Sequence, residues 1–202
     1  MLTLKDIAAV DWEAAARTYG NAHATLIGLL VSRWVGLSTD NRALEGGPSD
    51  GGRVQGSSRG WVTCDALLLG NRTTPTVVLE VEGVDYEKAL RRIGCFFKAN
   101  YPDLKSLQGA ILCAYVCAPR GRGKARAMPP VPIEKLAREA GDLLARYPDK
   151  RILLVAADKV LDSAATGIRT RNEYYRGTLN RVTAVKVRAG TASVPRQLYP
   201  AP

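Results

Sequence analysis

Two apolar runs in the middle of this chain carry three carboxylates, Asp65 on the first and Glu80 and Glu82 on the second. In the run Thr76-Val77-Val78-Leu79-Glu80-Val81-Glu82-Gly83, strand alternation sends Glu80 and Glu82 to one face and Val77, Leu79 and Val81 to the other. Two acids side by side on a half-buried strand repel each other and resist desolvation, so a positive partner is expected to offset them. A hard divalent cation meets that need, and the chemistry it would bring is metal-assisted hydrolysis. The plain alternative is a solvated edge strand, where alternating acids are common. His23 is the only histidine, which argues against histidine-based nuclease chemistry or a zinc hydrolase, and it reads as structural.

The elements that must position these acids follow from periodicity. Leu4 to about Val35 is helical, with Asp11 as N-cap before Trp12 and a second run from Ala22 to Trp34. Residues 37–60 turn to Gly, Ser, Asp, Asn and Arg and read as a flexible loop. Trp61 to Leu69 and Thr76 to Glu82 form a strand pair across a turn-rich connection, Gly70 to Pro75. Tyr86 to Asn100 is an amphipathic helix, Gly109 to Ala118 a buried strand, Ile133 to Tyr147 a second helix and Arg151 to Ala157 another strand. The basic segment of about 166–202 reads as one or two short strands with an irregular tail. The sum is one α/β domain over 1–202 with a mixed central sheet flanked by helices.

The chain has 202 residues, 46% hydrophobic and 24% charged, enough to bury a substantial core. Its apolar stretches are too short to span a bilayer and its N-terminus lacks signal-peptide features, so a cytoplasmic location without membrane contact is expected. Cys64, Cys95, Cys113 and Cys117 have no knuckle spacing and read as buried free thiols. The net charge of +10 is concentrated in Arg120, Arg122, Lys124 and Arg126 and in the stretch from Arg169 to Arg188. Such localised basicity suits a polyanionic partner, most simply nucleic acid, against the blander reading of a solubilising bias. Arg120-Gly121-Arg122-Gly123-Lys124 lacks phosphate-loop spacing and suits a grip on backbone phosphate. Arg169, Arg171 and Arg176 flank Tyr174 and Tyr175, a pair suited to stacking on bases or touching phosphate.

An opening helix, a strand pair bearing Asp65 and then Glu80-Val81-Glu82, a helix and a buried strand resemble the PD-(D/E)XK nuclease superfamily, the restriction-endonuclease-like fold, over about Leu4 to Ala118. The resemblance implies that Asp65, Glu80 and the Val81 carbonyl hold Mg²⁺, with Mn²⁺ as substitute, and that Glu82 ligates a second ion or accepts the proton of the attacking water. Glu82 stands where the family usually has Lys, and Thr63-Cys64 precedes Asp65 in place of its Pro. Lys88 near the start of the next helix could supply the displaced ammonium, and Glu13 is a further candidate ligand from the first helices. The implied activity is that of a metal-dependent DNA endonuclease, restriction-type or repair-type, acting on double-stranded DNA. Cleavage of both strands would favour a homodimer. The alternative is a protein that keeps the fold and the basic surface and binds nucleic acid, or serves in a nucleoprotein assembly, without cleaving.

Overall fold

Residues 1–17, 22–45, 53–55, 61–83, 85–99, 101–116, 130–160 and 178–199 are described by a computed structural model. Three helices open the chain: α1 (Leu4–Ala8), α2 (Trp12–Arg17) and α3 (Ala22–Val35). Thr3 and Asp6 close a capping box on α1, and Asp11 Oδ1 accepts the Ala14 N–H at 2.9 Å, which is the expected N-cap of α2.

The strands β1 (Arg42–Glu45), β4 (Ala66–Gly70) and β5 (Thr74–Glu82) form an antiparallel meander. The helix α4 (Tyr86–Lys98) then crosses to β6 (Gly109–Tyr115), parallel to β5, and α5 (Ile133–Ala145) crosses to β7 (Arg151–Val160), parallel to β6. The sheet is completed by β8 (Thr178–Arg188), antiparallel to β7, with β9 (Thr191–Ala192) and β10 (Arg196–Tyr199) both antiparallel to β8. The eight-stranded order is β1-β4-β5-β6-β7-β8-β10, with β9 paired off β8. A separate hairpin, β2 (Arg53–Gln55) with β3 (Trp61–Thr63), packs against α4.

Each face of the sheet buries one core. Val78, Leu112, Leu154 and Val185 point to α4 and α5, where Ile93, Phe96, Leu136 and Leu144 cover them. Leu79, Ile111, Leu153 and Ala184 point to the opening helices, where Ile7, Trp12, Leu26 and Leu30 cover them. Being covered on both faces explains why β6 and β7 read as continuous apolar runs. Gly109 starts β6 against the neighbouring strand, where an added Cβ would lie 2.1 Å from the Arg151 carbonyl oxygen.

Three sequence expectations change. Residues 37–60 are not wholly loop, because β1 docks as an edge strand and β2 as half of the hairpin. The Trp34 indole N–H reaches both the Arg42 and the Leu69 carbonyls, at 3.1 and 3.0 Å, and so ties α3 to β1 and β4. An edge strand needs only one apolar face, and that is why its polar composition hid it. The strand expected over Trp61 to Leu69 breaks at Asp65, which lies at a bend between β3 and β4. The C-terminal region carries β8, an eleven-residue strand inside the sheet, with Val182, Ala184, Val185 and Val187 buried and Arg181, Lys186 and Arg188 exposed. Among the described residues, no helix is long and apolar enough to cross a membrane.

Candidate active site

The bend at Asp65 makes the site. The Asp65 N–H still bonds the Leu79 carbonyl at 3.1 Å, continuing the β4–β5 ladder by one residue. Its side chain then replaces the next ladder carbonyl, with Oδ2 accepting the Val81 N–H at 2.7 Å. The Val81 carbonyl, also left without a strand partner on this side, lies 3.0 Å from Nε2 of His23 in the first turn of α3. The same Nε2 is 3.4 Å from Asp65 Oδ1. Both main-chain polar groups of Val81 are thus engaged by side chains, one from the bend and one from the helix.

Glu80 shares the face of Val78 and points beneath α4, where it is fully buried. Arg92 of α4 donates from Nη1 to its Oε2 at 3.3 Å, while Oε1 is buried and, among the described residues, has no hydrogen-bond partner. Burial, and next the negative Asp65, push the Glu80 carboxyl up to about 8 against the pull of Arg92. Burial also raises Asp65, opposed by the Val81 N–H and then by His23 and Arg92. The thiol of Cys64 is driven up by burial and then by Glu80, and that of Cys113 is pushed up to about 12 by burial alone. Both are inert packing groups at neutral pH.

Glu82, half-buried at the end of β5, accepts the Gly83 N–H at 2.9 Å through Oε1. Lys88 is exposed, and its main-chain N–H bonds the Asp85 cap of α4; the cation of α4 that reaches the acids is Arg92, one turn further on. Glu13 is exposed on α2, which packs on β8, three strands along the sheet from β5. Among the described residues, no three His, Cys, Asp or Glu side chains cluster as a ready-made metal cage. Asp65 and His23 converge instead with the main-chain oxygen of Val81. His23 and Arg92 are the two members of this arrangement that sequence reasoning missed. Arg92 carried a usable signal, since it lies among the basic positions of α4, the helix that follows the acidic strand; His23 lies 42 residues before Asp65 and carried none.

Compared with known proteins, the chain matches no family model, no curated protein and no solved structure.

All three acids lie at the carboxyl ends of the parallel strands, the edge at which open α/β sheets bind ligands. Tyr115 ends β6 there, with its ring edge-on to His23 at 6.4 Å and its carbonyl accepting the Tyr86 hydroxyl at 2.9 Å. The chain leaves this same edge after Val116 and Val160 and returns to it at Pro130 and Thr178. Arg120, Arg122, Lys124, Arg126, Arg169, Arg171, Tyr174, Tyr175 and Arg176 belong to those excursions and lie outside the described residues. Their roots are held by one carboxylate: Asp158, buried near the end of β7, accepts the Val131 N–H at 2.8 Å through Oδ1, and Arg181 Nε and Nη2 at 3.1 and 2.8 Å through Oδ2.

Proposed function

We propose that this chain is a metal-dependent nuclease of restriction-endonuclease-like fold that hydrolyses phosphodiester bonds of DNA. The observation that carries the reading is the convergence of Asp65 Oδ1 and the Val81 carbonyl on one point, beside a buried Glu80 that keeps one oxygen without a partner. Carboxylate and carbonyl oxygens are the donors that Mg²⁺ or Mn²⁺ takes, and an unsatisfied buried carboxylate oxygen is costly unless a cation or donor completes it. Further support comes from the antiparallel meander β1-β4-β5 continued through α4 to the parallel β6, the order expected from the resemblance, and from two basic segments rooted at the edge that holds the acids.

In this reading Asp65, Glu80 and the Val81 carbonyl hold the cation, which when bound supplies Lewis acidity toward the scissile phosphate and acidifies a water. Glu82, at the mouth of the site, takes the proton of that water. Arg92 favours the charged form of Glu80, the form that can act as a ligand. The basic segments bind backbone phosphate on either side of the scissile bond, independently of base identity.

Plasmid cleavage with Mg²⁺, Mn²⁺ or EDTA tests this, comparing the native chain with D65N and E80Q. Cleavage that requires metal and is lost in both variants is the expected result. One observation favours a second reading, that of a nucleic-acid-binding protein without cleavage: Arg92 already gives Glu80 a cation of its own. Metal-independent DNA binding, equal in native and variant chains and with no cleavage, would favour it.

A further inference from the structure

We propose that His23 is a nitrogen ligand of this centre, and that the cation the centre selects is accordingly Mn²⁺ rather than Mg²⁺. The inference rests on the reading above, that the edge at Asp65 binds a divalent cation, and adds to it a ligand and a metal preference.

The geometry carries it. Nε2 of His23 stands 3.0 Å from the Val81 carbonyl oxygen and 3.4 Å from Asp65 Oδ1. Around a six-coordinate cation with bonds of about 2.1 Å, ligand atoms at right angles lie about 3 Å apart. The three atoms, brought from α3, from the bend before β4 and from β5, therefore have the spacing of adjacent positions on one coordination octahedron. Oδ2 of Asp65 is occupied by the Val81 N–H, so Oδ1 is the oxygen free to turn to a metal, and His23 is the partner the structure gives it. Next to this trio is the fully buried Glu80, whose Oε1 has no hydrogen-bond partner among the described residues. The His23 side chain is 39% exposed, which leaves the outer side of the centre open for water or a phosphate oxygen.

The alternative role for Nε2 is that of a hydrogen-bond donor shared between the two oxygens. The two roles demand opposite tautomers: the donor needs its proton on Nε2, the ligand needs it on Nδ1 with the Nε2 lone pair turned inward. The choice of metal follows from the donor set. Imidazole suits Mn²⁺ and the later transition ions and adds little for Mg²⁺, whereas two carboxylates and a carbonyl in an open, six-coordinate arrangement suit Mn²⁺ better than tetrahedral Zn²⁺.

Mn²⁺ binding to the full chain, followed by electron paramagnetic resonance of the free ion and by ¹⁴N modulation of the bound ion, tests the inference without reference to cleavage. The native chain is expected to bind Mn²⁺ more tightly than Mg²⁺ in competition and to show coupling to an imidazole nitrogen. H23A is expected to lose at least about tenfold in Mn²⁺ affinity, since even loss of an outer-shell partner costs that much, and to lose the nitrogen signal while Mg²⁺ affinity falls less. H23Q keeps a donor for the Val81 carbonyl and offers no imidazole, so it should behave as H23A does; its far-ultraviolet spectrum and urea midpoint report whether the fold is intact. Bound Mn²⁺ without nitrogen coupling, or H23Q binding Mn²⁺ like the native chain, would overturn the role of His23 and leave the metal-dependent reading standing. No Mn²⁺ binding by the native chain would overturn both.

Discussion

Arg92 Nη1 lies 3.3 Å from Glu80 Oε2, and it is the ion-pair partner of a carboxylate that has no exposure to solvent at all. A buried acid paired to one side of a partly exposed guanidinium is held in place more by the cost of losing its partner than by the strength of the pair. Replacing Arg92 by Met should therefore destabilise the fold by about 1–3 kcal/mol, the lower part of the range for broken buried pairs because Arg92 is itself 31% exposed. Adding E80Q to R92M should restore most of that loss. Urea unfolding of the two single variants and the double variant checks this, and a double variant as unstable as R92M would show that Arg92 acts through packing alone.

The same acid makes stability depend on pH. Its carboxyl sits at about 8 in the folded chain against an ordinary 4.5. For a raised value, the stabilising contribution is complete below the unfolded pKa and is lost as pH rises through the folded one. The native chain should thus lose on the order of a few kcal/mol between about pH 5 and pH 9 through Glu80, and E80Q should lose less over that window. Equal slopes for the two chains would show that Glu80 is ionised throughout. Divalent-cation affinity should run the opposite way and rise across the same window, because the ligand is the deprotonated form.

Asp65 has a structural duty and a proposed chemical one, and two substitutions separate them. Asn at this position keeps an oxygen for the Val81 N–H, which Asp65 Oδ2 meets at 2.7 Å. Ala removes the acceptor and leaves that N–H unsatisfied, at about 1–3 kcal/mol. D65A should unfold at lower urea than D65N, while both lose cation binding; D65N as unstable as D65A would mean that the charge, and not the hydrogen bond, holds the bend.

Gly109→Ala should destabilise by about 3 kcal/mol, since the new methyl would meet main chain that cannot move without disturbing the β6–β7 register. Thermal unfolding measures it, and a shift under about 1 °C would show that the strands separate easily at this end.

Much of the fold was legible from period and capping. Asp11, the amphipathic α4 and α5, and the apolar runs of β6 and β7 carry signals that act over a few residues, and the structure has each element where those signals put it. Neither β1 nor the length of β8 was legible. An edge strand made of Arg42-Ala43-Leu44-Glu45 is defined by the Trp34 indole and by β4, partners distant in sequence. At the site, alternation correctly set Glu80 and Glu82 apart from Val81. It could not show that Asp65 bends the chain, that Arg92 rather than Lys88 faces Glu80, or that His23 arrives from α3, because each depends on how a helix is seated on the sheet.

The buried Asp158 gives the rim of this molecule a modular character. Val116 donates to the Ala157 carbonyl at 3.3 Å and Val131 donates to Asp158, so the excursion between them is stapled at its neck to two successive residues of β7. Arg181 fastens the start of β8 to the same carboxylate. A neck closed in this way has already met the entropic cost of bringing its ends together, and further length adds little to that cost. The segment can therefore be exchanged as a cassette, shortened, extended or recoded, while the ladder and the acids behind it stay as they are.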